Sequence, residues 1–185
     1  MNFKELKSGA GFTLVEMMVM MVIFATIFTL SVVNYRKGER LEVFRLATSQ
    51  VASTIRKAQN FGLTGFGTEA TQSQAYGVYF DLTTPSEYIL FEDDNNNQVY
   101  DVGTDDIVET ITLPDEVVLS SYTGDGPVSI VFVPPKPTNY FTSDAVTYQS
   151  GEIKLSRTEF STKEGVITVN IFTGQISSKL QEAVE

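Results

Sequence analysis

From Phe12 to Val33 the chain is apolar or small at nearly every position, and Glu16 is the one charge in the run. At about 1.5 Å rise per residue this stretch makes a helix of roughly 33 Å, enough to cross the hydrocarbon core of a bilayer. No proline interrupts it, because all six prolines lie at Pro85 or later. Beyond Val33 the pattern becomes amphipathic. Leu41, Phe44, Thr48, Val51, Ile55, Ala58 and Phe61 recur three and four apart, as on one buried helical face, with Arg40, Arg45, Arg56 and Lys57 opposite. Gly62 and Gly65, flanking Thr64, read as the stop. The spacing predicts one helix over 12–62, half of it apolar and half amphipathic. A coiled-coil partner could bury the same stripe, but the β-rich stretch that follows favours packing within the chain.

From Ala75 the period moves toward two. Runs rich in β-branched and aromatic residues recur at Ala75–Leu82, Glu87–Phe91, Ile107–Leu113, Val117–Tyr122, Val128–Val133, Glu152–Ser156, Gly165–Phe172 and Gln175–Lys179. Gly, Pro, Asp and Asn clusters separate them, and Thr173-Gly174 marks a tight hairpin. Pro134, Pro135 and Pro137 end one strand and open a predicted loop to about Ala145. The fold class is therefore α+β: a long N-terminal helix, apolar then amphipathic, packed on an antiparallel, sandwich-like β head. There is no internal repeat.

Composition narrows the chemistry. The 185 residues contain neither Cys nor His. Disulfides, thiolate zinc sites, Cys or His nucleophiles and Ser-His pairs are all excluded. Only carboxylate pairs remain for catalysis, and Asp93-Asp94 and Asp105-Asp106 fall in a turn, not a pocket, so the chain does not read as an enzyme. From Leu63 onward there are 19 acidic and 5 basic residues, whereas residues 34–62 carry 6 basic and 2 acidic. So acidic a head repels phosphate backbones, and its only cations are Lys136, Lys154, Arg157, Lys163 and Lys179, which argues against nucleic acid as a partner.

The start of the apolar run carries the most specific signal. Lys4 and Lys7 precede Ser8-Gly9-Ala10-Gly11, so the small residues come before the apolar core, the wrong order for ordinary signal-peptide cleavage. A carboxylate in hydrocarbon costs a few kcal/mol, so Glu16 needs a reason. The junction Gly11-Phe12-Thr13-Leu14-Val15-Glu16 resembles the class III signal of type IV pilins and pseudopilins. The resemblance implies a leader over 1–11, cut between Gly11 and Phe12 by a prepilin peptidase on the cytoplasmic face, and N-methylation of Phe12. It also implies that Glu16 pairs with the Phe12 amine of a neighbouring subunit during assembly. A transmembrane and assembly helix over 12–33, its amphipathic continuation over 34–62 and an extracytoplasmic head over 63–185 would follow. The protein would sit in the inner membrane as a single-pass anchor, with membrane lipid, other pilin or pseudopilin subunits, the peptidase/methyltransferase and an inner-membrane assembly platform as partners.

The head is similar, more loosely, to GspH/FimT-type minor pseudopilins. The echoes are Ile130-Val131-Phe132, Ser150-Gly151, and Ile167-Thr168-Val169 through Gly174-Gln175-Ile176. The absence of a helix proline also leans toward a minor subunit. The expected function is a minor pseudopilin of type II secretion; the alternative is a minor type IV pilus subunit, in a DNA-uptake version a binding module.

One loop could hold an ion. Phe91–Asp106, "FEDDNNNQVYDVGTDD", alternates Asp93, Asn95 and Asn97 before Asp101 and Asp105, with Asp106 beyond. Oxygen ligands converging from a tight loop suit Ca²⁺. Against an EF-hand pattern, Gln98 stands where glycine is needed and Thr104 where glutamate is needed. Two readings stand: a Ca²⁺ site, or a solvated Asp/Asn-rich turn with no cofactor.

Overall fold

The computed structural model describes residues 11–64, 74–134 and 138–183. The leader up to Ala10, together with Gly65, Pro135, Lys136 and Pro137, lies outside the described residues. The chain divides into two compact units between Leu41 and Glu42. Helix α1, Leu14–Thr64, gives its first part to the N-terminal unit and its second to the head. It ends two residues past the predicted stop.

The head holds ten strands: β1 (Ala75–Phe80), β2 (Glu87–Asp93), β3 (Asp106–Thr112), β4 (Val117–Tyr122), β5 (Val128–Val133), β6 (Thr138–Ser143), β7 (Val146–Thr147), β8 (Ser150–Arg157), β9 (Lys163–Asn170) and β10 (Gln175–Glu182). They form two antiparallel sheets, one in the order β3-β2-β1-β5-β6-β7 and the other β10-β9-β8-β4. The last two strands make the expected hairpin, with Gln175 opposite Asn170 and Gly174 at φ 65° in the turn.

The amphipathic stripe is buried in this head. Phe44, Thr48, Val51, Ile55 and Ala58 are buried and Phe61 half-buried, joined by Ala47, Ala52 and Gly62. Full burial of a side chain such as Val, Ile or Phe contributes about 1.5–3 kcal/mol, so this face alone outweighs any propensity term in fixing the helix. The helix meets strands of both sheets. Thr54 and Tyr88 share a hydroxyl hydrogen bond at 3.2 Å, and Lys57 pairs with Glu109 at 2.6 Å on the six-stranded sheet. Arg56 donates to the Ile176 carbonyl at 2.8 Å and Gln59 to that of Gly174 at 3.0 Å on the other. Two glycines set the approach: a Cβ on Gly62 would lie 2.7 Å from the Phe132 carbonyl oxygen, and one on Gly165 would overlap the Thr48 hydroxyl.

The six-stranded sheet buries apolar residues on both faces. Tyr76, Val78, Phe80, Leu90, Ile130 and Phe132 face the main core, while Ala75, Phe91 and Val131 form a second cluster on the outer face. That is why Tyr88–Phe91 and Ile130–Val133 read as continuous apolar runs and not as alternation.

The predicted loop to about Ala145 instead contains β6, Thr138–Ser143, with β7, Val146–Thr147, just beyond it. Phe141 is its inward apolar anchor and Asn139 and Ser143 are buried polar positions beside it. Ser143 Oγ both donates to the Gly126 carbonyl at 2.6 Å and accepts its N–H, so a polar residue serves where alternation predicts an apolar one.

Candidate functional site

At the start of α1, Phe12 and Glu16 are exposed, and so is every residue from Gly11 to Ser31. A window of 19 residues, Leu14–Val32, is long and apolar enough to cross a membrane, and none of it is buried against the protein. Two hydroxyls inside that span are satisfied locally: Thr26 donates to the Ile23 carbonyl and Thr29 to that of Ala25, both at 2.8 Å. A side chain with no orphan donor is tolerable in hydrocarbon. By length and composition this helix fits a membrane span.

Thr13 is a residue of the helix start that the apolar pattern does not single out. Its hydroxyl accepts the Glu16 N–H at 3.2 Å, and its carbonyl accepts the Met17 N–H at 3.2 Å. Thr13 is thus the N-cap, and Thr13-Leu14-Val15-Glu16 has the Thr-x-x-Glu spacing of a capping box, a signal present in the sequence all along. The charge of Glu16 also sits in the first turn, where the helix dipole favours an anion. Glu16 therefore has a local role beside any it has between subunits.

The second candidate is the loop from β2 to β3. Asp93 is fully buried and Asp105 nearly so. Asp93 accepts the Asn97 N–H at 3.2 Å and the Gln98 N–H at 2.9 Å, one on each carboxylate oxygen. Asp105 accepts from Asp94 at 3.1 Å and from Asp101 at 2.7 Å. The Asn95 and Asn97 side-chain amides both donate to Asp101 Oδ2. Asn96 and Gln98 take φ values of 56° and 66°, so Gln98 adopts the left-handed backbone for which the EF-hand pattern asks glycine. Asp106 opens β3, and its backbone N–H hydrogen-bonds the Asp94 carboxylate.

The five predicted ligands do come together, and by donor type they suit a hard cation. The same side chains also hydrogen-bond within the loop. The nitrogen ends of the Asn95 and Asn97 amides face Asp101, and their oxygens accept the N–H groups of Asn97 and Val99. Among the described residues there is no group of three or more His, Cys, Asp or Glu placed to hold a metal ion.

Burial pushes the Asp93 carboxyl above the usual carboxylate range, opposed by its backbone N–H donors and helped by the nearby Asp105 charge. The folded form then holds its proton more tightly than the unfolded form. This group's share of stability is present below the ordinary carboxylate pKa and lost as pH rises through the folded value. Burial also raises Glu92 and Asp94, with the Asp106 charge adding to both.

Asp93 should matter for stability whether or not an ion is present. Asp93→Ala strands the Gln98 N–H and leaves the Asn97 N–H with Asn95 Oδ1 alone, at an expected cost of about 1–3 kcal/mol. The urea midpoint should fall with the slope unchanged, equally in EDTA and in millimolar Ca²⁺. A midpoint within error of the parent would show that the two amide bonds do not hold the loop.

Compared with protein-family models, curated proteins and solved structures, the chain gives no match in any of the three.

Proposed function

We propose that this chain is a membrane-anchored structural subunit, a minor pseudopilin of a type II secretion filament, cut between Gly11 and Phe12 and assembled through its N-terminal helix. The observation that carries the reading is the exposed, unbroken apolar helix behind a Gly-Phe junction, with Glu16 as its single charge. The role is structural and needs no cofactor, since anchoring and assembly draw on apolar surface and one carboxylate. A minor type IV pilus subunit uses the same N-terminal device and is the alternative. Its DNA-uptake version has little surface to work with: Arg157 is buried beside Glu116 at 2.8 Å, and Lys154 lies 3.4 Å from Glu164.

Processing is the direct test. Co-expressed with a prepilin peptidase, the protein should lose residues 1–11 and gain one methyl group on Phe12, read by intact mass and N-terminal fragmentation. Gly11→Leu should remain full length. Cleavage at another bond, or cleavage that ignores Gly11→Leu, would sink the proposal.

A further inference from the structure

We infer that residues 94–104 are a strap that opens as one unit, uncovering the outer face of the six-stranded sheet while both sheets stay folded. The strap lies over the second apolar cluster. The Tyr100 ring packs against Tyr79 at 4.8 Å and Phe91 at 5.1 Å between centroids, and the Tyr100 N–H donates to Ser129 Oγ at 3.1 Å. Beneath it Ala75, Phe91 and Val131 are fully buried. Strap residues Asp94–Asn97 and Val102–Thr104 are exposed, Val102 at 88%.

The placement of the anchors makes this a hinge and not a part of the sheet. Asp93 is held in the ladder opposite Ala75, and Asp105 directly precedes Asp106, which pairs with Glu92. Both carboxylates therefore stay with the sheet when the strap lifts, while the amides of Asp94, Asn97, Gln98 and Asp101 leave with it. Glu92 and Asp106 keep the two ends of the strap together, so opening breaks no ladder bond. What it breaks is one aromatic plug, the Tyr100–Ser129 bond, the amide–carboxylate bonds, the Asp105 N–H to Asp101 carbonyl bond at 3.1 Å and the Asp106 N–H bond to the Asp94 carboxylate, all shared between the same two bodies. Interactions that are lost together open cooperatively, at a free energy below that of the whole domain.

Amide hydrogen exchange on the full-length chain in detergent tests this. In the parent protein the amides of Asp94, Asn97, Gln98, Tyr100 and Asp101 should exchange together, at a common rate faster than the ladder amides of β1 and β5. Tyr100→Ala should raise that common rate about tenfold or more and leave the ladder rate unchanged. Tyr100→Phe, which keeps the ring, should stay close to the parent. The inference is overturned if the five amides exchange only with the ladder, or each at an unrelated rate. It is equally overturned if Tyr100→Ala moves the ladder and the strap together.

Discussion

Gly165→Val should leave the head unable to hold α1 in place. A Cβ on Gly165 would overlap Thr48 Oγ1 and stand 3.1 Å from its Cγ2 and 3.2 Å from its Cβ. Thr48 is almost fully buried, and its hydroxyl donates to the Phe44 carbonyl at 2.9 Å, so it has nowhere to turn without giving up that bond. Relief requires the helix to move off β9. Such a shift loosens Phe44, Val51 and Ile55 at once, because all three lie on the same buried face. Overpacking of a well-filled core costs about 1–3 kcal/mol, so Gly165→Ala should destabilise by that amount and the valine by more. The valine variant is expected to lose its cooperative thermal transition, and the alanine variant to melt several degrees lower. Thr48→Ala removes the hydroxyl and methyl and should recover part of the loss in Gly165→Ala, a coupling that an unrelated defect would not show. Full parental stability in Gly165→Ala, or no recovery in the double variant, would remove this contact from the account.

The elements that the sequence made legible are those where one physical term dominates. The membrane-length helix is visible because twenty or so apolar residues have no other use, and the stripe from Phe44 to Ala58 because burial on one side imposes the helical period. The strands flanked by turn residues followed for the same reason. Residues that serve two masters were less legible. The segment from Thr138 to Ser143 places Asn139 and Ser143 inward, each held by hydrogen bonds to a distant carbonyl, Ile171 for Asn139 and Gly126 for Ser143. Such partners lie far off in the chain and leave no periodic trace. The acidic loop shows the same limit. Its Asp and Asn spacing is that of cation ligands, and the spacing leaves no trace of the backbone N–H bonds on Asp93 and Asp105 or of the Tyr100 ring that anchors the loop to the sheet. At the helix start one residue carries two signals, since Glu16 is both the N3 position of the Thr13 cap and the lone charge of an apolar run.

Glu16→Leu should give a protein that inserts and is processed but enters filaments poorly. Removing the carboxylate makes the helix more apolar, so insertion is favoured, and the Gly11-Phe12 junction that a peptidase would read is untouched. Under the proposed function, what is lost is the partner for the ammonium that cleavage would create at Phe12. A buried charge left alone costs about 3–5 kcal/mol, which at about 1.4 kcal/mol per tenfold predicts a fall in incorporation of more than a hundredfold. The Thr13 cap makes a second explanation available, because Glu16 could act only by stabilising the first turn. Glu16→Gln separates the two. Glutamine can close a capping box as glutamate does but carries no charge, so it should assemble as poorly as leucine if the role is pairing. Thr13→Ala provides the converse, weakening the cap by about 1 kcal/mol while leaving the charge, and should assemble nearly as the parent does. The measurement is the ratio of sheared filament to membrane-bound subunit in cells carrying the assembly machinery. Normal assembly of Glu16→Gln together with failure of Thr13→Ala would assign Glu16 to the helix start alone. Poor assembly of Glu16→Gln, with Thr13→Ala close to the parent, would mean that the charge acts between subunits. Glu16 could then sit unpaired within one chain because its counter-ion belongs to the next.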